Sequence, residues 1–351
     1  MRTLVPLAAT GVGSVPFTDL QETVALILEC LPQLPYWPQM VRLGFREEMT
    51  PQATGGLSVL QVDPVARVVQ MDPEAPREQS LAQFYETVLG GELAPFALRE
   101  EEAQGFFALL AAVGARQAPC PALKGQLSGP VTLAGVIKDP AGKPILYDRE
   151  LTQALCLGLG RKAAWQAQKF RELGKEAVIF FDEPYLTGFG SAYLPLSRQE
   201  VAEILSQALE AAREFGPVAL GIHCCGNTDW SLLLEAPIDI LNFDSYGYFD
   251  SLRLYEQAVG SFLARGGWLA WGLVPTGSEL DGETADSLWE RFQGQVQQLA
   301  QEQKLEVKQV LSQAILTPAC GMGYLPLEAA RRGLAILSEL SARGRQWLES
   351  Q

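Results

Sequence analysis

The segment 221–226, Gly-Ile-His-Cys-Cys-Gly, carries side chains suited to binding a metal ion. It holds the single histidine of the chain and two of its six cysteines. Imidazole and thiolate are the protein ligands that zinc prefers. The run 217–222 predicts a buried strand, along which side chains alternate, so His223 and Cys225 point to one side and Cys224 to the other. This pattern fits two zinc ligands, and it also fits a buried histidine beside two inert core cysteines.

Other reactive side chains fall where predicted strands end: Ser14, Ser128, Asp182, Glu183, Asp244 and Cys320. In an α/β barrel the carboxyl ends of the strands meet at one mouth, so positions far apart in sequence come together there. Cys320 is then a candidate third ligand beside His223 and Cys225. Zinc with three protein ligands keeps one position open, which is the catalytic pattern, whereas structural zinc has four ligands.

Asp182 and Glu183 end the most apolar predicted strand and precede Pro184. In a barrel mouth, such carboxylates hold a substrate ammonium group or act as an acid or base, so both are candidate catalytic residues. The alternative is a strand-end acid that caps the next turn.

Ser14 follows Gly13 in a turn, where it either caps a helix or binds a substrate carboxylate together with nearby backbone N–H groups. An ammonium site and a carboxylate site in one mouth would suit an amino acid. Three roles are open for Asp244: a fourth metal ligand, a hydrogen-bond partner of His223, or a helix cap.

Short apolar strands alternate with amphipathic helices along the chain. Strands are predicted at 7–13, 122–130, 177–184, 217–222, 239–244, 268–275 and 310–316, and helices at 20–31, 80–89, 100–113, 131–137, 148–173, 197–214, 251–265, 285–303 and 327–348. The repetition, without a dinucleotide-binding G-x-G-x-x-G motif, favours an α/β fold. We predict a single (β/α)8 TIM-barrel domain over residues 1–351, with an irregular extension at 34–56 between the first strand and the second.

Composition restricts the partners. The net charge of −14 argues against nucleic acid or an acidic membrane surface, because both are polyanions. No apolar run reaches the roughly 18–20 residues of a membrane helix. The run 1–13 predicts a strand rather than a signal peptide, so we expect a cytoplasmic protein whose cysteines are thiols or metal ligands.

Five motifs carry a resemblance to a known superfamily: Gly13-Ser14-Val15-Pro16, Leu127-Ser128-Gly129-Pro130-Val131-Thr132, Phe181-Asp182-Glu183-Pro184, His223-Cys224-Cys225-Gly226-Asn227-Thr228 and Cys320-Gly321. Their types and order resemble those of the superfamily that contains uroporphyrinogen decarboxylase, cobalamin-independent methionine synthase and the methylcobalamin:coenzyme M methyltransferases. The length of 351 residues is about that of the catalytic barrel of methionine synthase alone.

The resemblance implies a TIM-barrel methyltransferase that uses Zn²⁺ to activate a substrate thiol, with homocysteine as acceptor and methionine as product. It implies His223, Cys225 and Cys320 as zinc ligands, with Asp244 at the position of a zinc-binding glutamate. Asp182 matches the aspartate that binds the homocysteine amine. The glycine–serine turn and the serine–glycine–proline segment place Gly13, Ser14 and Ser128 among the substrate-binding residues.

The methyl donor is open. The family's tryptophan-bearing folate segment is not found, because residues 133–138 read Leu-Ala-Gly-Val-Ile-Lys. Donors consistent with the sequence are a methylfolate and a methyl-corrinoid, free or on a partner protein. The alternatives are a corrinoid:coenzyme M-type thiol methyltransferase and a non-catalytic zinc- or corrinoid-binding module.

Overall fold

The computed structural model describes residues 4–54, 56–116 and 118–351, so Gly55 of the predicted extension lies outside the described residues. The described strands are β1 (Leu60–Asp63), β2 (Val68–Met71), β3 (Ala122–Ser128), β4 (Glu176–Asp182), β5 (Ala219–Cys224), β6 (Ile240–Phe243), β7 (Trp268–Val274) and β8 (Ala314–Pro318). The described α-helices are α1 (Leu20–Cys30), α2 (Met49–Gln52), α3 (Arg77–Gly90), α4 (Gln104–Arg116), α5 (Pro130–Val136), α6 (Arg149–Glu172), α7 (Arg198–Arg213), α8 (Trp230–Glu235), α9 (Ser245–Arg253), α10 (Glu256–Ala264), α11 (Ala285–Gln303), α12 (Val307–Ser312) and α13 (Leu327–Ser350). Within these ranges, no helix has both the length and the apolar character needed to cross a bilayer.

Strands β3 to β8 form one parallel sheet in the order of the chain, and β1 and β2 form a separate antiparallel hairpin. Helices connect the parallel strands, as parallel pairing requires. The predicted α/β class is confirmed, and α11 has the predicted bounds. Strands β3 and β7 begin where predicted and end at Ser128 and Val274, before the predicted ends at 130 and 275. The hairpin lies after the irregular extension and was not predicted.

The predicted first strand, 7–13, is not a regular strand. Isolated parallel bridges instead pair Ala9 with Leu316, Ser14 with Gln39, and Tyr36 with Lys124. Glycines and prolines explain the irregularity, because proline cannot donate to a ladder and glycine weakens a strand. At Gly11, an added Cβ would lie 2.2 Å from the Tyr36 ring, so the two extended segments cross closely. Segments 7–15 and 36–39 thus occupy the space between β8 and β3.

The prediction of the last strand, 310–316, was wrong in its first half. Residues Val307–Ser312 form helix α12, and β8 begins at Ala314. Val310 and Leu311 are both buried, and a short apolar run suits a buried helix as well as a strand. The predicted helix 251–265 is likewise divided between α9 and α10.

The inner face of the sheet changes character from one end to the other. Near the amino ends of the strands it carries an apolar cluster that includes Ala122, Val178, Ala219, Ile240, Ala270 and Ile315. Toward the carboxyl ends it carries buried polar residues: Gln126, Ser128, Asp182, His223, Asn242 and Thr317. Burying polar groups costs free energy unless they are paired, so this end is where a polar ligand would bind.

Candidate active site

Three candidate residues stand side by side on neighbouring strands. Ser128 of β3 pairs in register with Asp182 of β4, which pairs with His223 of β5. All three are buried and lie at the carboxyl ends of their strands on the polar inner face. Since adjacent strands lie about 4.8 Å apart, the register brings a hydroxyl, a carboxylate and an imidazole to one edge of the sheet.

The ring of His223 has one engaged nitrogen and one free nitrogen. Its Nδ1 lies 2.7 Å from Oδ1 of Asn242 on β6. Its Nε2 is buried and has no hydrogen-bond partner among the described residues. A buried unpaired ring nitrogen is uncommon in a folded protein, so it points to a missing ligand or ion.

The free nitrogen faces two sulfur atoms. Metal-ligating atoms of His223, Cys225 and Cys320 all lie within 4.8 Å of one another. Cys224, next in the chain, points away and is fully buried, with its Sγ 3.5 Å from the carbonyl oxygen of Gly226. The alternation expected of this strand is therefore present in the structure.

Contacts within this cluster shift its protonation. The hydrogen bond with Cys320 lowers the pKa of Cys225, and the same contact, with burial, raises the pKa of Cys320. Burial lowers the pKa of His223, but Cys320 and Asp182 together outweigh it, and the pKa is raised overall. The three groups compete for protons that a metal ion would displace.

Asp244 lies outside this three-residue cluster. It is the N-cap of α9, and its carboxylate accepts a hydrogen bond of 2.8 Å from the Gly247 N–H. Burial raises its pKa, while the nearby His223 lowers it. The partner of the His223 Nδ1 is Asn242 rather than Asp244, so the structure gives Asp244 the position of a helix cap.

Asp182 is a buried carboxylate with an unused oxygen. Its Oδ1 has no hydrogen-bond partner within the described part of the chain. Burial raises the pKa of Asp182, and the nearby Lys124 and His223 lower it. A buried carboxylate in this state favours a cationic ligand.

Glu183 is fully engaged by the protein. Its two oxygens accept hydrogen bonds from the Val131 N–H at 2.9 Å, the Thr132 N–H at 2.7 Å and the Thr132 hydroxyl at 2.6 Å. Burial raises its pKa to about 7, although these hydrogen bonds lower it. Glu183 therefore caps the first turn of α5, directly after the strand that ends at Ser128.

Ser14 contacts the loop that follows Cys320. Its Oγ accepts a hydrogen bond of 3.2 Å from the Gly323 N–H. At Gly13, an added Cβ would lie 2.4 Å from Oε1 of Gln39, so a larger residue there would have to displace the end of that side chain. Ser14 is thus held next to the cysteine loop, whereas the hydroxyl of Ser128 is buried and unpaired among the described residues.

Two buried polar residues of the inner face were not predicted. Asn242 holds His223, and Lys124 donates to the Val12 carbonyl and, at 3.1 Å, to Gln126. Burial lowers the pKa of Lys124 to about 7, and Asp182 raises it. The sequence signal for both is a polar residue at an inward position of an otherwise apolar strand.

No protein-family model and no curated protein matches the chain. Solved structures do. A B12-independent methionine synthase from Shewanella sp. W3-18-1, in complex with selenomethionine, is 15% identical with a TM-score of 0.61, over 99% of this chain and 100% of that chain.

Two further structures have the same likeness. A putative vitamin-B12 independent methionine synthase from Listeria monocytogenes is 13% identical, with a TM-score of 0.57 over 97% of this chain and 98% of that one. A methyltransferase from Methanosarcina mazei is 14% identical, with a TM-score of 0.57 over 95% of this chain and 94% of that one. The chain therefore has the fold of methionine synthase-like and methyltransferase structures, as its motifs predicted.

Proposed function

We propose that this protein is a zinc-dependent methyltransferase that methylates a substrate thiol, with homocysteine as acceptor and methionine as product. One observation carries the proposal: the ligand atoms of His223, Cys225 and Cys320 converge within 4.8 Å at the carboxyl ends of the strands. The fold shared with methionine synthase-like structures supports the same chemistry.

The cluster fits zinc by its donor types. One imidazole nitrogen and two sulfurs are ligands that zinc accepts, and three protein ligands leave a position for substrate. Zinc bound there would supply thiol activation, since a free thiol with a pKa of about 8.5 is mostly protonated at neutral pH and a metal-bound one is deprotonated. The chain has no second histidine to serve as a general base, and this chemistry needs none.

Homocysteine carries an ammonium and a carboxylate besides its thiol. We assign the ammonium to Asp182, whose unpaired buried oxygen favours a cation. Ser14 and Gly13 lie beside the Cys320 loop and are assigned to the carboxylate. Ser128 is in register with Asp182 and is the candidate second contact to the amino-acid head group.

We propose that Glu183 is a positioning residue that holds α5 against the end of β4. Its three accepted hydrogen bonds tie α5 to the end of β4, next to Ser128 and Asp182. This holds the substrate-facing residues in place without leaving an oxygen free for proton transfer. Asp244 is assigned to the cap of α9, and a weak fourth contact to the metal is the alternative role.

We also infer that the chain forms one barrel domain. Hydrogen bonds of 3.0 Å from Thr10 N–H to Leu316 carbonyl and of 2.9 Å from Lys124 N–H to Pro35 carbonyl join the N-terminal segments to both edges of the parallel sheet. These contacts support 7–15 and 36–39 as the two irregular strands that complete an eight-stranded closure.

A methyl-transfer assay with homocysteine, run with methylfolate and methylcobalamin side by side, tests the proposal and selects the donor. Methionine formation that is lost in Cys320→Ser supports it. No methionine with either donor, from protein carrying stoichiometric zinc, would refute the homocysteine reaction.

Two alternatives have their own signatures. Coenzyme M has no amino group, so an Asp182→Ala variant with unchanged affinity for its thiol would favour a coenzyme M-type enzyme. A non-catalytic module would show zinc held by four protein groups and a coordination sphere unaltered by homocysteine.

A further inference from the structure

We propose that Asn242 and Thr317 are positioning residues that fix the tautomer of His223. They hold a proton on Nδ1 and leave the lone pair of Nε2 aimed at Cys225 and Cys320. The assignment rests on the proposed function only where it names zinc as the ion that would bind to this lone pair. The tautomer itself is a property of the chain alone.

The orientation of the Asn242 amide follows from its neighbours. Its Nδ2 lies 2.9 Å from the carbonyl oxygen of Ala270 and 2.8 Å from the hydroxyl oxygen of Thr317. A carbonyl oxygen only accepts hydrogen bonds, so the amide group facing it must be the NH₂. The opposite side, which faces His223, is then the amide oxygen.

The tautomer of His223 follows in turn. The amide oxygen of Asn242 only accepts, so the His223 Nδ1 at 2.7 Å must carry the proton. In the neutral ring the other nitrogen then holds the lone pair. That nitrogen is the buried, unpaired Nε2 of the ligand cluster, which is the atom a metal ion needs.

The neighbouring strand is built to let this contact form. Asn242 on β6 reaches Thr317 on β8 past β7, whose inner-facing residues Ala270 and Gly272 are small. An added Cβ at Gly272 would lie 2.7 Å from the Phe243 carbonyl oxygen, so no larger residue fits. Asn242, Thr317 and His223 are all buried, which shields their hydrogen bonds from competing water.

Nuclear magnetic resonance tests the tautomer directly. The chain has one histidine, so ¹⁵N-histidine labelling of protein without a histidine tag gives one pair of ring-nitrogen signals. In reduced, metal-free protein, at a pH high enough that the ring-nitrogen signals no longer change with pH and the ring is neutral, we expect the proton on Nδ1. A proton on Nε2 in the wild type would overturn the proposal.

Variants test the cause. Asn242→Leu removes the acceptor, so the proton is expected to move to Nε2. Asn242→Asp keeps an acceptor oxygen and is expected to retain the Nδ1–H signal. The exposed Asn227, the other asparagine of the chain, supplies the matched control Asn227→Leu, which should leave the signal unchanged. An unchanged tautomer in Asn242→Leu would refute the assignment.

Zinc affinity, measured by competition with a chelator, gives the second readout. Residues that orient a metal-binding histidine typically contribute a factor of about 10–100 to affinity, so a loss of that size is expected in Asn242→Leu and not in Asn242→Asp. If Asn242→Leu does not fold, Thr317→Val, which keeps the side-chain shape and removes the hydroxyl acceptor, is expected to lower affinity less but measurably. Wild-type affinity in both Thr317→Val and a folded Asn242→Leu would contradict the proposal.

The two proposals fail separately. A tautomer that follows Asn242 in a protein that forms no methionine would leave this inference standing and remove the proposed function. Methyl transfer by a protein whose His223 tautomer is the same with and without Asn242 would support the proposed function and refute this inference.

Discussion

The buried carboxylate of Glu183 should make the stability of the protein depend on pH in an unusual direction. Its pKa is raised from 4.5 in the unfolded chain to about 7 in the folded protein, chiefly by burial. The folded state therefore holds this proton more tightly. The stabilisation is fully present below about pH 4.5 and is lost as the pH rises through about 7.

The size of the effect follows from the same values. Each pKa unit corresponds to about 1.36 kcal/mol, so the shift of roughly 2.5 units is worth about 3 kcal/mol. Glu183→Gln cannot ionise and should lack this dependence. The loss of hydrogen bonds in the variant is the same at both ends of the range, so it cancels when the change in stability between the two pH values is compared.

Urea unfolding followed by tryptophan fluorescence, at steps from about pH 4.5 to 7.5, measures this difference. Glu200→Gln is the matched control, because Glu200 is exposed and hydrogen bonds from Ser197 lower its pKa, so its contribution has the opposite sign. Equal slopes for the wild type and Glu183→Gln would show that Glu183 is ionised throughout the range and that burial does not raise its pKa.

Three more outcomes are expected. By elemental analysis, purified protein should carry about one zinc per chain. The zinc should be lost in Cys225→Ser and Cys320→Ser and kept in Cys224→Ser. Loss of zinc only in Cys224→Ser would mean that the strand faces the other way. Asp182→Asn should raise the KM for homocysteine about tenfold or more, since hydrogen bonds between charged groups contribute about 1.5–3 kcal/mol, and an unchanged KM in steady-state kinetics would exclude an ammonium contact. Gly272→Ala, whose Cβ would lie 2.7 Å from the carbonyl oxygen that ends β6, should destabilise the fold by about 1–3 kcal/mol, and a wild-type urea midpoint would contradict this crowding.

The grouping of His223, Cys225 and Cys320 could be predicted from sequence because it depends on simple rules. Alternation along a strand places His223 and Cys225 on one side, and this requires only that the strand exists. Cys320 follows from the convergence of strand ends in a parallel α/β fold. Neither rule depends on the details of side-chain packing.

The partner of the histidine could not be predicted in this way. Asn242 stands in an apolar run, and its contacts are 19, 28 and 75 residues away along the chain. Which of them form depends on the register of four strands, β5 to β8. The three hydrogen bonds of Glu183 have the same origin, since they depend on where α5 begins relative to β4.

The irregular pairing of the N-terminal segments could not be predicted for another reason. The sequence predicts a strand at 7–13 but not its partners. Segment 7–15 is held by the far end of the chain through Leu316, and segment 36–39 pairs with Ser14 and Lys124. Glycine and proline allow those contacts, and their presence argues locally against a strand.

Those end-to-end contacts bear on the order in which the protein can assemble. Leu7 donates its N–H to the Ala314 carbonyl and accepts a hydrogen bond from the Ser341 hydroxyl, 334 positions away. Ser14 is likewise held by the loop after Cys320. During synthesis, His223 and Asp182 emerge well before these partners, so segment 7–14 can be fixed in place only after the last forty or so residues have been made. Closing such long loops is slow, and the site should therefore be among the last parts of the molecule to form.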